Sequence, residues 1–248
     1  MKRQSVRMFL LLLSFSVFPI TIIYLAPAPP IMSLKAGVIN LSVFTILSVF
    51  ISGIIFRRAF CGWLCPGGGC QLVAHPLNNK AIKEHKTNWV RIGLVTVWVL
   101  IMILVTVFGD QAPKFDVAHP GAGKFATSDI RYYLPYIPTV VFIFLFVLLF
   151  GRRGFCHRGC WIYPLIAFST KVGTMIHTPS LHISMKNIDN CSNCKLCSKN
   201  CSMSIDVHKH VQEKKVLPNN CIQCGKCVDK CNKNVLSFSF GIQKAPTA

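Results

Sequence analysis

Residues 191–201 read CSNCKLCSKNC, and residues 221–231 read CIQCGKCVDKC. Both stretches have the spacing C-x2-C-x2-C-x3-C, so eight of the 13 cysteines stand in two copies of one motif. Zinc sites usually take their four ligands from two separated pairs, so a third and fourth cysteine repeated in each run is not expected of a zinc site. Disulfides are disfavoured in a reducing cytoplasm. The spacing therefore predicts two iron–sulfur clusters held by thiolates.

Two-cluster sequences with this spacing exchange one ligand between the runs. Three close cysteines hold one [4Fe–4S] cluster, and the fourth cysteine of each run reaches the other cluster. The first cluster is therefore assigned to Cys191, Cys194, Cys197 and Cys231. The second is assigned to Cys221, Cys224, Cys227 and Cys201. Shared ligation ties together a segment that is too small to form much of a hydrophobic core.

The charge of the chain is strongly positive, with 27 Lys and Arg against 8 Asp and Glu. Part of this excess lies among the clustered cysteines, where positive charge offsets the negative clusters or steers an acidic redox partner. Motifs for binding nucleic acid are missing, so no nucleic-acid partner is expected. The lysines concerned are Lys195, Lys199, Lys226 and Lys230.

A second pair of cysteine motifs lies earlier in the chain. Residues 57–65 read RRAFCGWLC and residues 152–160 read RRGFCHRGC, an offset of 95 positions. Two apolar runs precede each copy, which indicates a parallel two-fold repeat. On a helix, a Cys-x3-Cys step puts both thiols on one face. Four soft sulfurs brought together could hold an iron–sulfur cluster or a copper or zinc ion, or they could be ordinary buried thiols. The residues of this tentative third redox or metal site are Cys61, Cys65, Cys156 and Cys160.

Four apolar stretches, at about 8–26, 36–56, 89–108 and 133–150, decide the predicted fold class. Each is close to the ~20 residues that a helix needs to cross a bilayer. We therefore expect an all-α membrane protein, with four transmembrane helices in a two-fold repeat of helix pairs, plus a small α+β two-cluster ferredoxin-like domain at the C-terminus. Residues 1–170 form the first domain, with both Cys-x3-Cys loops in the cytoplasm, and residues 171–248 form the second.

The distribution of Lys and Arg predicts the location and orientation. Basic residues concentrate before the first stretch, between the second and third, and after the fourth. The positive-inside rule then places both termini in the cytoplasm and the protein as a multi-pass component of the inner (cell) membrane. The segment 161–177 is predicted to be an interfacial helix that docks the tail to the membrane.

Together these motifs resemble the NapH-type membrane 4Fe–4S ferredoxins, which are polyferredoxin-like proteins related to the cores of the NosR and CcoG groups. The resemblance rests on CGWLCP at 61–66 and on the two tail runs. It implies electron transfer between the quinone pool and a redox partner, in a subunit linked to quinol oxidation. The chain departs from the family pattern where proline is expected, because Trp161, Ser202 and Asn232 follow the last cysteines of three motifs. Proline is not a ligand, so the clusters should survive.

The predicted function is therefore membrane-bound iron–sulfur electron transfer, with membrane lipids, quinone and a redox protein as partners. No phosphate-binding loop, dinucleotide fingerprint or C-x-x-C-H haem motif competes with this interpretation. Two alternatives stay open. One is an accessory protein for redox assembly or sensing, and the other is a copper reductase that uses the loop thiolates.

Overall fold

The computed structural model describes residues 2–26, 31, 38–39, 41–82, 88–107, 114–115 and 136–242. Up to residue 175 the described chain is mainly helical, and a short parallel pair of strands, β1 (Val38–Ile39) and β2 (Lys114–Phe115), joins two of its segments. The helices are α1 (Lys2–Ser16), α2 (Phe18–Leu25), α3 (Leu41–Phe56), α4 (Ala59–Trp63), α5 (Pro66–Ala74), α6 (Asn88–Val107), α7 (Tyr136–Phe150), α8 (Gly154–Arg158) and α9 (Ile162–Met175).

The prediction of four transmembrane helices is wrong. Within the described ranges, no helix combines the length and the apolarity needed to cross a membrane. The first apolar stretch is divided between α1 and α2, because Pro19 has no N–H to continue the helix. Helices α3 and α7 have only 16 and 15 residues. The transmembrane part of the fold class is corrected accordingly.

The sequence repeat has a structural counterpart. A long helix, a one-turn helix and a further helix follow one another in each copy, as α3–α4–α5 and as α7–α8–α9. The copies interlock, because α3 packs on α9 and α5 packs on α7. Helix α1 packs on α5. The helix predicted within 161–177 is present as α9, and it packs into the core through Ile162, Tyr163 and Ile166.

The tail forms a small α+β unit around the two cysteine runs. Strand β3 (Ser180–Met185) pairs antiparallel with β4 (Leu236–Gly241), with Ser184 opposite Ser237. Between the strands lie a 3-10 turn (Ile188–Asn190) and three short helices, α10 (Leu196–Lys199), α11 (Val207–Gln212) and α12 (Lys226–Asp229). The small sheet thus closes the segment that carries all eight clustered cysteines.

One apolar core continues from the helical part into the tail. It runs from Val49 of α3 and Ile166 of α9 to Ile222 and Val235 beside the cysteine runs. The predicted domain boundary at 170/171 falls inside α9 and stays a prediction. The continuous core holds the two cysteine loops against the tail.

Candidate iron–sulfur sites

The first candidate site is a cavity of about 170 Å³ at the surface of the tail. Its lining includes all four cysteines assigned to the first cluster, namely Cys191, Cys194, Cys197 and Cys231. Cys194 is exposed, and the other three thiols are half-buried. The cavity is also lined by basic side chains, which are Lys195, His208, Lys230 and Lys233. A centre bound here would lie within reach of an external redox partner.

The second candidate site lies deeper within the tail. A small cavity is lined by all four cysteines assigned to the second cluster, namely Cys201, Cys221, Cys224 and Cys227. The rest of its lining is apolar and includes Ile183, Met203 and Ile222. Cys201, Cys224 and Cys227 are buried, in contrast to the cysteines of the first cavity. The crossed assignment of the fourth cysteines thus coincides with the way the chain groups the eight thiols in space.

Left-handed residues shape both runs. The second cysteine of each run is flanked by two residues with positive φ, which are Asn193 and Lys195 in one run and Gln223 and Gly225 in the other. Alternating right- and left-handed residues curl the backbone so that successive cysteines face one point. A helix turn then begins after Lys195 and after Gly225 and carries the third cysteine. The spacing C-x2-C-x2-C is therefore a consequence of this backbone curl.

The donor chemistry of both cavities fits an iron–sulfur cluster. Every described cysteine is a free thiol. In the described part of the chain, no three Cys, His, Asp or Glu side chains lie close enough to hold a single metal ion, in the tail or in the loops. If [4Fe–4S] clusters bind, the four thiols lining each cavity would hold them. The cluster assignment itself stays a prediction.

Burial sets the protonation of several candidate ligands. Burial raises the pKa of Cys221 to about 12, and it also raises the pKa of Cys227. At the exposed site, a backbone hydrogen bond from Leu196 lowers the pKa of Cys194. If a cluster binds, these buried thiols would have to lose their protons to become ligands, so cluster binding would release protons.

The loop cysteines do not share one helical face, contrary to the expectation from their spacing. Cys61 lies within α4, whereas Cys65 lies beyond the end of that helix in an extended conformation. Pro66 explains this, because the residue before a proline is driven out of the helical region. The two loops end with equivalent hydrogen bonds. Cys65 N donates to Phe60 O in the first loop, and Cys160 N donates to Phe155 O in the second. Trp161, which follows Cys160, has a φ of −75°, close to the fixed φ of proline.

The two loops contact each other directly. Arg153 of the second loop donates to the carbonyl oxygen of Cys61 at 3.2 Å. Gln71 of α5 donates through Nε2 to Cys156 Sγ at 3.1 Å, and its side-chain oxygen accepts from the Cys156 amide at 3.4 Å. All four loop cysteines are close enough to influence one another electrostatically. The repeat therefore brings the predicted loop site together in one place.

The first loop also docks on the second tail run. Trp63 Nε1 donates to Gln223 O at 3.0 Å, and Arg58 donates to Asn220 O at 3.0 Å. Gly62 faces the carbonyl group of Ile222 so closely that a Cβ at this position would overlap its oxygen. The loop site consequently lies beside the second cavity.

Helix α1 adds a contact that sequence reasoning missed. Gln4 donates to the Cys224 carbonyl oxygen at 2.9 Å, and Arg7 donates to the Gly62 carbonyl oxygen at 3.4 Å. Arg3 forms an ion pair with Asp229. The basic start of the chain pointed only to membrane orientation, and nothing in its spacing indicated a contact some 220 residues away.

Three of the arginines near the loop site are almost fully buried. Arg7, Arg58 and Arg153 have exposed fractions of 1%, 2% and 6%. Burial lowers the pKa of Arg7. For Arg58, burial acts in the same direction, but attraction to Cys61, Cys156 and Cys160 outweighs it and raises the pKa. The Arg58 guanidinium also lies 4.5 Å above the ring of Tyr163. Arg58 and Arg153 belong to the predicted motif, whereas the roles of Arg7 and Gln71 carried no sequence signal.

The four predicted lysines do not share one position. Lys195 and Lys230 line the first cavity, and Lys199 lies exposed at the end of α10. Lys226 is half-buried, and burial lowers its pKa. Lys233, which the sequence analysis did not single out, also lines the first cavity.

Two family models match parts of this chain. Residues 190–236 match a 4Fe-4S dicluster domain, and residues 38–80 match a 4Fe-4S binding domain. The second match covers the loop with Cys61 and Cys65. These matches confirm that iron–sulfur clusters belong to this chain, whereas their number stays a prediction. No solved structure matches the chain.

Curated relatives match over most of the chain. MJ0750 of Methanocaldococcus jannaschii, an uncharacterized protein, is 27% identical over 79% of this chain and 78% of its own length. YccM of Escherichia coli, named as a "putative electron transport protein", is 24% identical over 80% of this chain and 55% of its own length. The ferredoxin-type protein NapH of Haemophilus influenzae is 26% identical over 77% of this chain and 65% of its own. The resemblance to NapH-type 4Fe–4S ferredoxins is confirmed.

Proposed function

Since this chain resembles the NapH-type 4Fe–4S ferredoxins, we propose that it carries electrons between the quinone pool and a protein redox partner. The carriers are two [4Fe–4S] clusters, one in each cavity of the tail. The observation that supports this most is the grouping of the eight tail cysteines into two sets of four, each around its own cavity. The clusters would supply one-electron chemistry, and the protein supplies burial, hydrogen bonds and charge that set their potentials.

The two sets differ in access, which suggests different tasks. The first cavity is at the surface and has exposed Cys194 at its edge, whereas the thiols of the second are mostly buried. A partner that approaches the tail would meet the first cluster. The second cluster would pass electrons between the first cluster and the helical part. The basic lining of the first cavity favours an acidic partner.

We also propose that the protein is located at the cell membrane with both termini in the cytoplasm. Exposed large apolar side chains on α1, α3 and α7 support an apolar attachment surface, with Phe9, Leu47 and Leu149 as examples. The excess of basic residues suits anionic lipid. Flotation of the purified protein with vesicles of anionic lipid tests this, and protein that stays unbound in low salt would contradict it.

The quinone step is tested on anaerobically purified protein. A quinol analogue is added, and the cluster absorbance and EPR spectrum are recorded. We expect reduction by the quinol or, if the flow is reversed, oxidation of dithionite-reduced clusters by the quinone. If no quinone or quinol changes the spectrum at potentials where the clusters react chemically, the quinone part of the proposal fails. Iron analysis of Cys194→Ser and Cys224→Ser should show that each variant loses about half of the tail iron.

The partner surface is tested with redox proteins of opposite charge. Reduced protein is mixed by stopped flow with an acidic flavodoxin or with a basic cytochrome c. We expect triple reversal of Lys195, Lys230 and Lys233 to glutamate to slow oxidation by the acidic protein about tenfold or more at low salt. Reversal of three other exposed lysines serves as the matched control, using Lys171, Lys214 and Lys215. Equal slowing by both triple variants would refute this surface.

A further inference from the structure

Three of the four loop cysteines, Cys61, Cys156 and Cys160, belong to the continuous apolar core. Cys61, Cys156 and Cys160 are buried, and Cys65 is half-buried. Contacts between the loops hold this arrangement, through Arg153 to the Cys61 carbonyl oxygen and through Gln71 to Cys156 Sγ. Neither cavity of the tail includes these thiols. Two clusters in the tail therefore give the four loop thiols no role as ligands.

Buried positive charge surrounds these thiols. Arg7, Arg58 and Arg153 are at most 6% exposed, and two of them donate to backbone carbonyl groups of α4, at Gly62 and Cys61. Among the described residues, none of the ion pairs formed by carboxylates involves these three arginines. Buried charges are strongly unfavourable unless an opposite charge lies nearby. Arg58 and Arg153 are close enough to the loop sulfurs to interact with them electrostatically, whereas Arg7 lies nearer to Cys224 of the tail. Two buried guanidinium groups beside four sulfurs thus call for a negatively charged centre at the sulfurs.

We propose that Cys61, Cys65, Cys156 and Cys160 bind a third [4Fe–4S] cluster, shared between the two loops. A [4Fe–4S] cluster together with its four cysteine thiolates carries a net charge of about −2, and the buried arginines would offset this charge. Each loop contributes two ligands, so the cluster would join the two halves of the repeat. The inference rests on the proposed iron–sulfur function and extends it to the helical part.

The position of the loop site gives the third cluster its place in the electron path. Trp63 donates to the Gln223 carbonyl oxygen at 3.0 Å, and Gly62 lies against the carbonyl group of Ile222, which lines the second cavity. The second cluster is therefore the neighbour of the third, and the exposed first cluster is the terminal one. Electrons would pass from the loop cluster to the second and then to the first, or in the reverse order.

The test counts iron and acid-labile sulfide in anaerobically purified protein grown on 57Fe. We expect about twelve irons per chain, and about eight in both Cys61→Ser and Cys156→Ser. Mössbauer and EPR spectra should show that the remaining eight irons are the two tail clusters, which also shows that the variants fold. Cys70→Ser is the matched control, since Cys70 is buried outside the four-cysteine set, and it should keep twelve.

Three results would overturn the inference. One is about eight irons in the unaltered protein and the same number in both loop variants. Another is a single bound copper or zinc ion that is lost in the variants, which would make the loops a mononuclear site. A loss of four irons in only one of the two variants would show that the loops do not share the cluster. None of these results depends on whether a quinone reacts, so failure here is distinct from failure of the proposed function.

Discussion

Replacing Gly225 with alanine should weaken the second cluster site by about 2–5 kcal/mol. Gly225 has a φ of +72° between the second and third cysteines of its run. A left-handed conformation costs an L-residue about 1–2 kcal/mol. A Cβ at this position would also lie 2.8 Å from Phe238 Cε2, and relieving such overpacking costs about 1–3 kcal/mol. The equivalent residue of the other run, Lys195, has a φ of +55° and already bears that conformational strain.

The measurement is the rate of cluster loss in guanidinium with an iron chelator, under anaerobic conditions. A loss of about 2–5 kcal/mol should speed release of the second cluster roughly 30- to 5,000-fold if the site opens before iron leaves. Gly241→Ala is the matched control, since a Cβ there has nothing within 4 Å. Lys195→Gly should act in the opposite direction and slow loss of the first cluster. The reasoning would be refuted if Gly225→Ala released iron at the rate of Gly241→Ala.

Three further predictions concern hydrogen bonds. Asp206 caps α11 by accepting from the Lys209 amide at 3.2 Å, so Asp206→Ala should lower the free energy of unfolding by about 1 kcal/mol, measured by denaturant titration, with Asp189→Ala as the control. The Ser202 hydroxyl lies 3.7 Å from Cys224 Sγ, so Ser202→Ala should make the potential of the second cluster more negative in a redox titration, and an unchanged potential would contradict this. Burial acts to raise the pKa of Asp229, but hydrogen bonds from Arg3 and Gln4 outweigh it and lower that pKa. The ionised Asp229 carboxylate therefore stabilises the folded protein above the ordinary carboxyl pKa, and this stabilisation is lost as the pH falls through the lowered pKa of the folded state. Asp229→Asn should reproduce that loss at neutral pH, seen as faster proteolysis of α1, and unaltered proteolysis would count against the contact.

The local motifs of this protein could be predicted from its sequence more fully than its helices. Cysteine spacing follows from backbone curvature within ten residues, so the two sets of tail thiols could be derived from the spacing alone. An apolar run predicts that a segment avoids water, but it does not determine at which residue a helix ends. Pro19 interrupts the first run, and Pro66 moves Cys65 out of its helix. The transmembrane prediction failed because the helices end earlier than the apolar runs suggest: Pro19 divides the first run, and α3 and α7 have only 16 and 15 residues.

Contacts between distant segments could not be predicted. Gln71 and Arg7 look unremarkable in the sequence, since a polar residue shortly after a run of glycines and a basic residue near the start have many explanations. Only the packing of α5 and α1 against the loops shows that one reaches Cys156 Sγ and the other the Gly62 carbonyl oxygen. Such contacts depend on tertiary packing, which no local spacing encodes.

The contact between α1 and the second run also constrains the order of biosynthesis. Arg3 and Asp229 are separated by 226 positions, so the ribosome completes nearly all of the described chain before they can meet. Until then Gln4 cannot reach the Cys224 carbonyl oxygen, so α1 can dock on the second cysteine run only late in synthesis.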